Sequence, residues 1–413
     1  MELETRALAE LDVDALVADA AALVQAPSVT GDERAAAEGF VSLARARGLD
    51  PRLVAHDLDA LRGDPGHPGE EAARTELVGC QVVVPGTVPG APRLCIDGHL
   101  DVVDPGTKSW TSDPWSGAVR DGLLHGRGAV DMKGAVAAAL HAVAAVAGAG
   151  GGRGDVVLWA VSSEEDGGLG TFAALRDDAE FAGCVIPEPT GFDVACAQAG
   201  ALTFAGVIPG VAAHAAARLG GVSAIDRYVP VHAALAQLER ELNADVAHPL
   251  MREHELPYPI SVGRVEAGSW SSSVPDRLVF EGRVGVPVGS DPADIRARVE
   301  EVVRAACDDA EVRWTGGRFN PGETPVDHPL SQLVLGAAAD ELGRPARPVG
   351  VSYGADMRLF CERGIPCVMV GTPGIERAHT VDENVAIADL AALARILIRV
   401  IARFGELEVT PGR

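Results

Sequence analysis

Apolar and polar positions along the chain follow two periods. From about Ala7 to Arg47 the apolar residues recur at helical spacing, broken near the turn cluster Pro27-Ser28-Val29-Thr30-Gly31. Cys80–Val84 and Leu94–Gly98 are short apolar runs around a Pro/Gly turn and predict two strands. The Ala-rich run Ala135–Ala147 predicts a helix on propensity, and Val156–Ser162 and Val185-Ile186 predict buried strands. Leu61–Arg74, rich in Gly, Pro and charge, predicts a surface loop, and Gly148–Gly154 predicts another. Strands alternating with helices predict an α/β sheet, whose ligand site lies at the carboxyl ends of its strands.

Between about Gly200 and Trp314 the texture changes. Leu202–Ile208, Ile260–Val265 and Leu278–Val286 predict strands, and Ser223–Asn243 and Asp291–Ala310 predict helices. From Pro329 a helix, the apolar strand Pro366–Val370 and a long final helix (Ala386–Phe404) resume the first pattern. The division expected is a catalytic domain from residues 1–198 and 317–413, with an α+β domain inserted at 199–316. A length of 413 residues suits two domains.

Composition narrows the function classes. Hydrophobic residues at 47% and charged residues at 23% describe a folded chain with a substantial core. The balance of 35 basic against 59 acidic side chains, 35 − 59 = −24, argues against nucleic acid and anionic membranes as partners. Seven cysteines, an odd number without CxxC spacing, point to a reducing compartment. The first residues lack the apolar core of a signal peptide, and no apolar stretch approaches the ~20 residues that span a bilayer. A soluble cytoplasmic protein is expected.

Five short segments carry acids or histidines: Gly98-His99-Leu100-Asp101, Val130-Asp131-Met132-Lys133-Gly134, Ser163-Glu164-Glu165-Asp166, Pro187-Glu188-Pro189-Thr190 and Ala378-His379-Thr380. His99, Glu164, Glu165 and Glu188 each sit where an apolar run stops. Each has an ordinary alternative when read alone. His99 and Asp101 could be a polar pair at a strand end, Asp131 an N-cap acid, and Glu164-Glu165 a solvated acidic turn. Glu188 could be a loop acid, and Asp382-Glu383 after His379 could cap a helix. Together the segments supply two histidines and three carboxylates, the inventory two divalent ions need if one carboxylate bridges them. Such a pair, about 3.5–4 Å apart, serves hydrolysis. Adjacent acids at a buried strand end repel unless a cation compensates one, so Glu165 is assigned to metal and Glu164 to the base. Asp101 is the natural acceptor for the second ring nitrogen of His99.

At this point the chain resembles the metal-dependent aminoacylase/carboxypeptidase family that includes acetylornithine deacetylase and succinyl-diaminopimelate desuccinylase. The likeness runs over nearly the whole chain and is carried by those five segments, with Trp110 to Gly117 and Gly126-Arg127-Gly128-Ala129 extending two of them. It implies His99 and Glu188 on one metal, Glu165 and His379 on the other, Asp131 bridging, Glu164 as base and Asp101 behind His99. It implies a zinc-peptidase-like catalytic domain, with a central mixed sheet and helices on both faces, plus an inserted ferredoxin-like dimerisation or lid domain. Two zinc ions are the expected cofactors, with cobalt or manganese as substitutes, and a homodimer through the inserted domain is expected. His214, in Gly210-Val211-Ala212-Ala213-His214, takes the place of a histidine that reaches a partner subunit's oxyanion, its alternative being a surface histidine. Arg283 takes the place of an arginine that holds a substrate carboxylate, and Asp356 and Arg358 lie in a loop near the substrate pocket. Ser271-Ser272-Ser273 departs from the family, many members of which carry an asparagine there. The activity expected is cleavage of the amide of an N-acyl amino acid, with a dipeptidase or carboxypeptidase as runner-up. A non-catalytic binding homologue is the alternative of another class, and retention of Glu164 argues against it.

Overall fold

In a computed structural model, which describes residues 2–407, the chain forms two compact units. The first joins the chain up to Cys196 with Glu323–Val349 and the part from Leu359 onward. The second comprises Ala197–Gly322 and takes in Gly350–Arg358, a segment that the sequence pattern leaves in the flanks.

The first unit is built on a nine-stranded mixed sheet. Its centre is parallel: Val156–Val161, Leu94–His99, Gly183–Ile186 and Cys367–Met369 lie side by side in that order. Leu77–Val84 and Pro51–His56 extend it in antiparallel fashion beyond Val156–Val161. Every residue of Leu94–His99 and Val156–Val161 is buried, so neither strand shows polar–apolar alternation: Val156–Val161 is apolar throughout, and Leu94–Ile96 is apolar before Asp97.

Neighbouring residues of the Leu94–His99 strand show helices on both faces. Asp97 accepts a hydrogen bond from the Thr171 hydroxyl of helix Leu169–Asp177, at 2.9 Å. Gly98 faces the opposite way, where a Cβ would lie 3.0 Å from Val136 of helix Lys133–Gly148. That Ala-rich helix is buried on nearly all its surface, because helices Val13–Gln25 and Ile387–Phe404 also pack on it. Small side chains permit this close approach from several sides. None of the described helices is long and apolar enough to cross a membrane.

The second unit is a four-stranded antiparallel sheet in the order Ile260–Ala267, Arg277–Val286, Gly200–Pro209, Glu311–Phe319. Helices Ala224–Asn243 and Pro292–Ala306 cover one face, around Phe204, Phe280, Val231, Leu235 and Val299. Read along the chain this is strand–helix–strand–strand–helix–strand, the ferredoxin-like arrangement. Each helix begins at a side-chain cap, Ser223 on the Asp226 amide and Asp291 on the Ala293 amide.

Candidate metal centre

The parallel strands deliver one histidine and three acids to their carboxyl ends. His99 ends its strand, Glu164 and Glu165 follow Val161, and Glu188 follows Ile186. Asp131 comes from the loop that enters helix Lys133–Gly148, and His379 from the turn after Ile375–Arg377. Two triads result, His99–Asp131–Glu188 and Asp131–Glu165–His379, and within each the ligand atoms all lie within 4.8 Å of one another. His99 Nε2 is 3.2 Å from Asp131 Oδ1 and 3.7 Å from Glu188 Oε1. His379 Nε2 is 3.4 Å from Asp131 Oδ2 and 3.2 Å from Glu165 Oε1. Asp131 therefore turns one oxygen toward each triad. Ser163 and His379 hold left-handed backbone angles, φ 67° and 60°, uncommon for residues with a Cβ and frequent where a site over-determines the chain.

The charges fit divalent cations. Burial opposes a proton on His99, yet Asp131, Glu188, Asp101 and Glu164 outweigh it and hold the imidazole pKa well above its usual range. Hydrogen bonds to Asp131 and Glu165 push His379 up to about 10. Burial raises the Asp131 carboxyl, but the two imidazoles more than offset it and leave it well below the usual carboxylate range. Burial pushes Glu165 up, with His379 opposing. The site thus recruits positive charge from its own histidines, at the positions where ions would supply it. The donor set of imidazole and carboxylate suits zinc, cobalt or manganese.

A ring of buried side chains fixes these groups. His99 Nδ1 lies 2.8 Å from the main-chain oxygen of Asp101, an acceptor, so Nδ1 carries a hydrogen and Nε2, which faces Asp131 and Glu188, is the nitrogen that a metal ion would take. The Asp101 carboxylate is 3.7 Å from that nitrogen and is turned elsewhere: Oδ1 accepts the Glu164 amide and Oδ2 the Glu165 amide, each at 3.1 Å. Glu383 is fully buried rather than a plain helix cap. Its Oε1 accepts the amides of Val130 (2.9 Å) and Asp131 (3.2 Å), and Oε2 accepts Arg127 at 2.6 Å. Lys133 is enclosed, donates to the Ala26 carbonyl at 2.7 Å, and is pushed down to about 7 by burial. Glu33, also enclosed, is pushed up to about 7 by burial and then by Asp101. Glu33 carries no motif that marks it, Arg127 lies in the Gly126–Ala129 stretch without a role of its own there, and Glu383 reads in sequence only as a possible helix cap. Their shared sequence signal is charge placed beside an apolar run.

In the second unit His214 is exposed and caps the short helix Ala215–Gly220. Its Nδ1 accepts the Ala216 amide at 3.1 Å, so Nε2 is the nitrogen left to donate. His214 and Ser273 face each other in an isolated antiparallel bridge, so the serine run of the departure lies beside this histidine. Arg283 is exposed on its strand, in register with Ser261 and Thr203. Asp356 and Arg358 are enclosed. Arg358 donates to the carbonyls of Arg318 and Ala355, both at 3.0 Å, and stacks on Phe319, contacts that commit it to packing within its own unit.

Comparison with known proteins agrees with this geometry. The chain is 32% identical over 393 residues to a succinyl-diaminopimelate desuccinylase of Gluconacetobacter diazotrophicus, covering 91% of this chain and 93% of that one. Among solved structures, a tripeptidase from Staphylococcus aureus superposes with a TM-score of 0.75 at 21% identity, covering 96% of this chain and all of its own. An M20 family metallo-carboxypeptidase from Sulfolobus solfataricus superposes with a TM-score of 0.77 at 16% identity, covering 95% of this chain and 99% of its own. Residues 95–403 match the sequence family described as peptidase family M20/M25/M40, a span that holds both triads, and the chain is a hydrolytic enzyme belonging to that family.

Proposed function

We propose that this hydrolase uses two divalent ions, zinc foremost, to cleave the amide of an N-acyl amino acid, with an N-succinyl substrate as the first candidate. The observation that carries the reading is Asp131, whose two oxygens are turned to two different imidazole–carboxylate groups, as a bridging ligand requires. Identity of 32% to a desuccinylase over nearly the full length supports the acyl group. His99 and Glu188 would hold one ion, Glu165 and His379 the other, with Asp131 between. When bound, the ions supply Lewis acidity, polarising an amide carbonyl and making water acidic near neutral pH. Glu164 takes the proton from water and returns it to the leaving amine. Asp101 holds the main chain of Glu164 and Glu165 in place for that transfer.

The second unit contributes by pairing with another copy of the chain, and His214 donates to the oxyanion of the partner's site. Support for a homodimer comes from apolar side chains left open on this unit, Leu219, Val229 and Trp270, and from the outer edge of strand Ile260–Ala267, which pairs with no strand among the described residues. Arg283 is the candidate for a substrate carboxylate, a guanidinium on an exposed strand position whose surroundings bury it enough to lower its pKa. Asp356 is the candidate acid for the same substrate, and the enclosed Arg358 supports its loop. Free thiols at all seven cysteines suit the cytoplasm.

A second reading, a peptidase using the same centre, is favoured by the structural likeness to a tripeptidase and a carboxypeptidase. One screen separates the two. Zinc-loaded protein is given N-succinyl, N-acetyl and N-formyl amino acids alongside di- and tripeptides. Preference for the acylated set supports the deacylase, preference for peptides supports the peptidase, and no hydrolysis of either removes both.

A further inference from the structure

The turn that carries Glu164 and Glu165 is gripped from two sides. From one side Asp101 accepts both of their amides. From the other, Asp166 Oδ1 accepts the Ser163 hydroxyl at 2.5 Å. Its Oδ2 accepts the amides of Glu71 (3.0 Å) and Ala72 (2.8 Å) and Nη2 of Arg74 (2.6 Å). The Arg74 side chain is wholly enclosed, with Nη1 3.6 Å from Glu33 and Nε 3.3 Å from Glu70. Glu33 accepts the Gly31 amide at 2.7 Å, and Thr30 donates its hydroxyl to Asp101 at 3.1 Å. The contacts therefore close a ring from Asp101 through Thr30–Glu33, Arg74 and Asp166 to the turn and back to Asp101. At Gly31, φ 102°, a Cβ would lie 2.9 Å from the Ala73 carbonyl, so only glycine lets the two outer segments of the ring touch.

We propose that Arg74 is a positioning residue, which hydrogen-bonds Asp166 at 2.6 Å, pairs by charge with Glu33 at 3.6 Å, and thereby fixes the Ser163–Asp166 turn and the direction of Glu164. The proposal rests on Glu164 being the general base. Arginine suits the task because a planar guanidinium reaches two carboxylates on separate segments, whereas an ammonium concentrates its charge at one point. It also neutralises acids that burial would otherwise set against one another behind the site. The segment from Leu61 to Arg74 is in this respect not a free surface loop: its last residues are pinned to the base-bearing turn.

The test uses zinc-loaded Arg74→Lys, Asp166→Asn and Ser163→Gly, the last keeping a residue that tolerates φ 67° while removing the hydroxyl. In each, kcat should fall about 10- to 100-fold, the loss typical of a misplaced catalytic group, with KM within about twofold. Bound zinc should match the wild type, and amide exchange should quicken at residues 163–168. Combined with Glu164→Gln, each change should cost less than about threefold more, because the base it positions is already gone. Unchanged kcat in the folded variants, or full losses that multiply in the Glu164→Gln background, would overturn the proposal and leave Arg74 a packing residue. Should Arg74→Lys fail to fold, the other two variants decide by the same criteria. Wild-type turnover in Glu164→Gln would instead remove the base reading, and the positioning role with it.

Discussion

Asp131 belongs to both triads, so its loss should be felt twice. Asp131→Ala is expected to lose both ions and all turnover, read by elemental analysis beside hydrolysis; full metal content in that variant would defeat the two-ion reading. Neighbouring acids should separate cleanly. Glu164→Ala keeps its metals and loses about 10²–10⁴-fold in kcat, the usual contribution of a positioned base. Glu165→Ala weakens one metal site, and equal metal loss in the two variants would refute the division of roles. At this scale the sequence was most legible where a residue type has few uses at a strand end. His99, Glu164, Glu165 and Glu188 stand out because imidazole or carboxylate directly after an apolar run is costly without a partner, whereas His379 follows a Gly/Pro loop and stands out only through the resemblance. Their supports were hidden because a hydrogen bond reports nothing of itself in sequence. Asp101 takes its amides from residues 63 and 64 positions away, and Glu383 takes its own from residues 253 and 252 positions away.

Elements meet here through small residues and through charge. Gly371 follows the Cys367–Met369 strand, and a Cβ on it would lie 2.2 Å from the main-chain oxygen of Glu188. Backbone cannot yield as a side chain tip can, so Gly371→Ala should shift the Glu188 segment. Zinc titration should then show one weakened site, and two unaltered sites would contradict the packing argument. At the far ends of the chain, helix Glu2–Glu10 is tied to helix Ile387–Phe404 by Glu4, which accepts from Arg403 at 2.8 and 3.0 Å and from Arg399. The hydrogen bonds from Arg403, then the nearby arginine charges, hold the Glu4 carboxyl below the usual range. A depressed folded pKa means the stabilisation is complete above the ordinary carboxylate value of about 4.3 and is lost as pH falls through the folded one. Glu4→Gln should therefore lower Tm most at neutral pH, by the equivalent of roughly 2 kcal/mol, with the gap closing below about pH 4. A gap wider at pH 3 than at pH 7 would refute the clamp. Periodicity located the longest helices and most buried strands, since both depend on local pattern, but it left the wholly buried strand Val194–Gln198 and the helix Leu169–Asp177 unmarked. It left Pro51–His56 and Glu311–Phe319 unmarked as strands, because exposed positions along them dilute the apolar signal.

For the whole molecule, the open question is why a hydrolase keeps a second unit that holds none of the triad residues. The change of texture in the sequence runs from about Gly200 to Trp314, and the second unit comprises Ala197–Gly322 with Gly350–Arg358. The capture of Gly350–Arg358 was not legible, since it depends on contacts such as Gln198 with Ala355 and Arg358 with Arg318 that join distant stretches. If the second unit pairs two chains, an exposed histidine whose Nε2 is free to donate can complete a site in the partner. The same histidine acting within its own chain would give the same single-variant result, a fully metallated protein with turnover down by about 10²–10³-fold, the cost of one lost oxyanion donor. Mixing distinguishes the two arrangements. His214→Ala and Glu164→Ala should each be nearly inactive alone. After subunit exchange, a mixed dimer working across the interface has one site with the native Glu164 of one chain and the native His214 of the other. Activity should then return to about a quarter of the wild-type value, because half the dimers are mixed and each has one intact site of two. If His214 serves its own chain, every site in the mixture lacks one of the two groups and the mixture stays inactive. Exchange confirmed by mass-tagged chains, with no recovery of turnover, would rule out the trans arrangement.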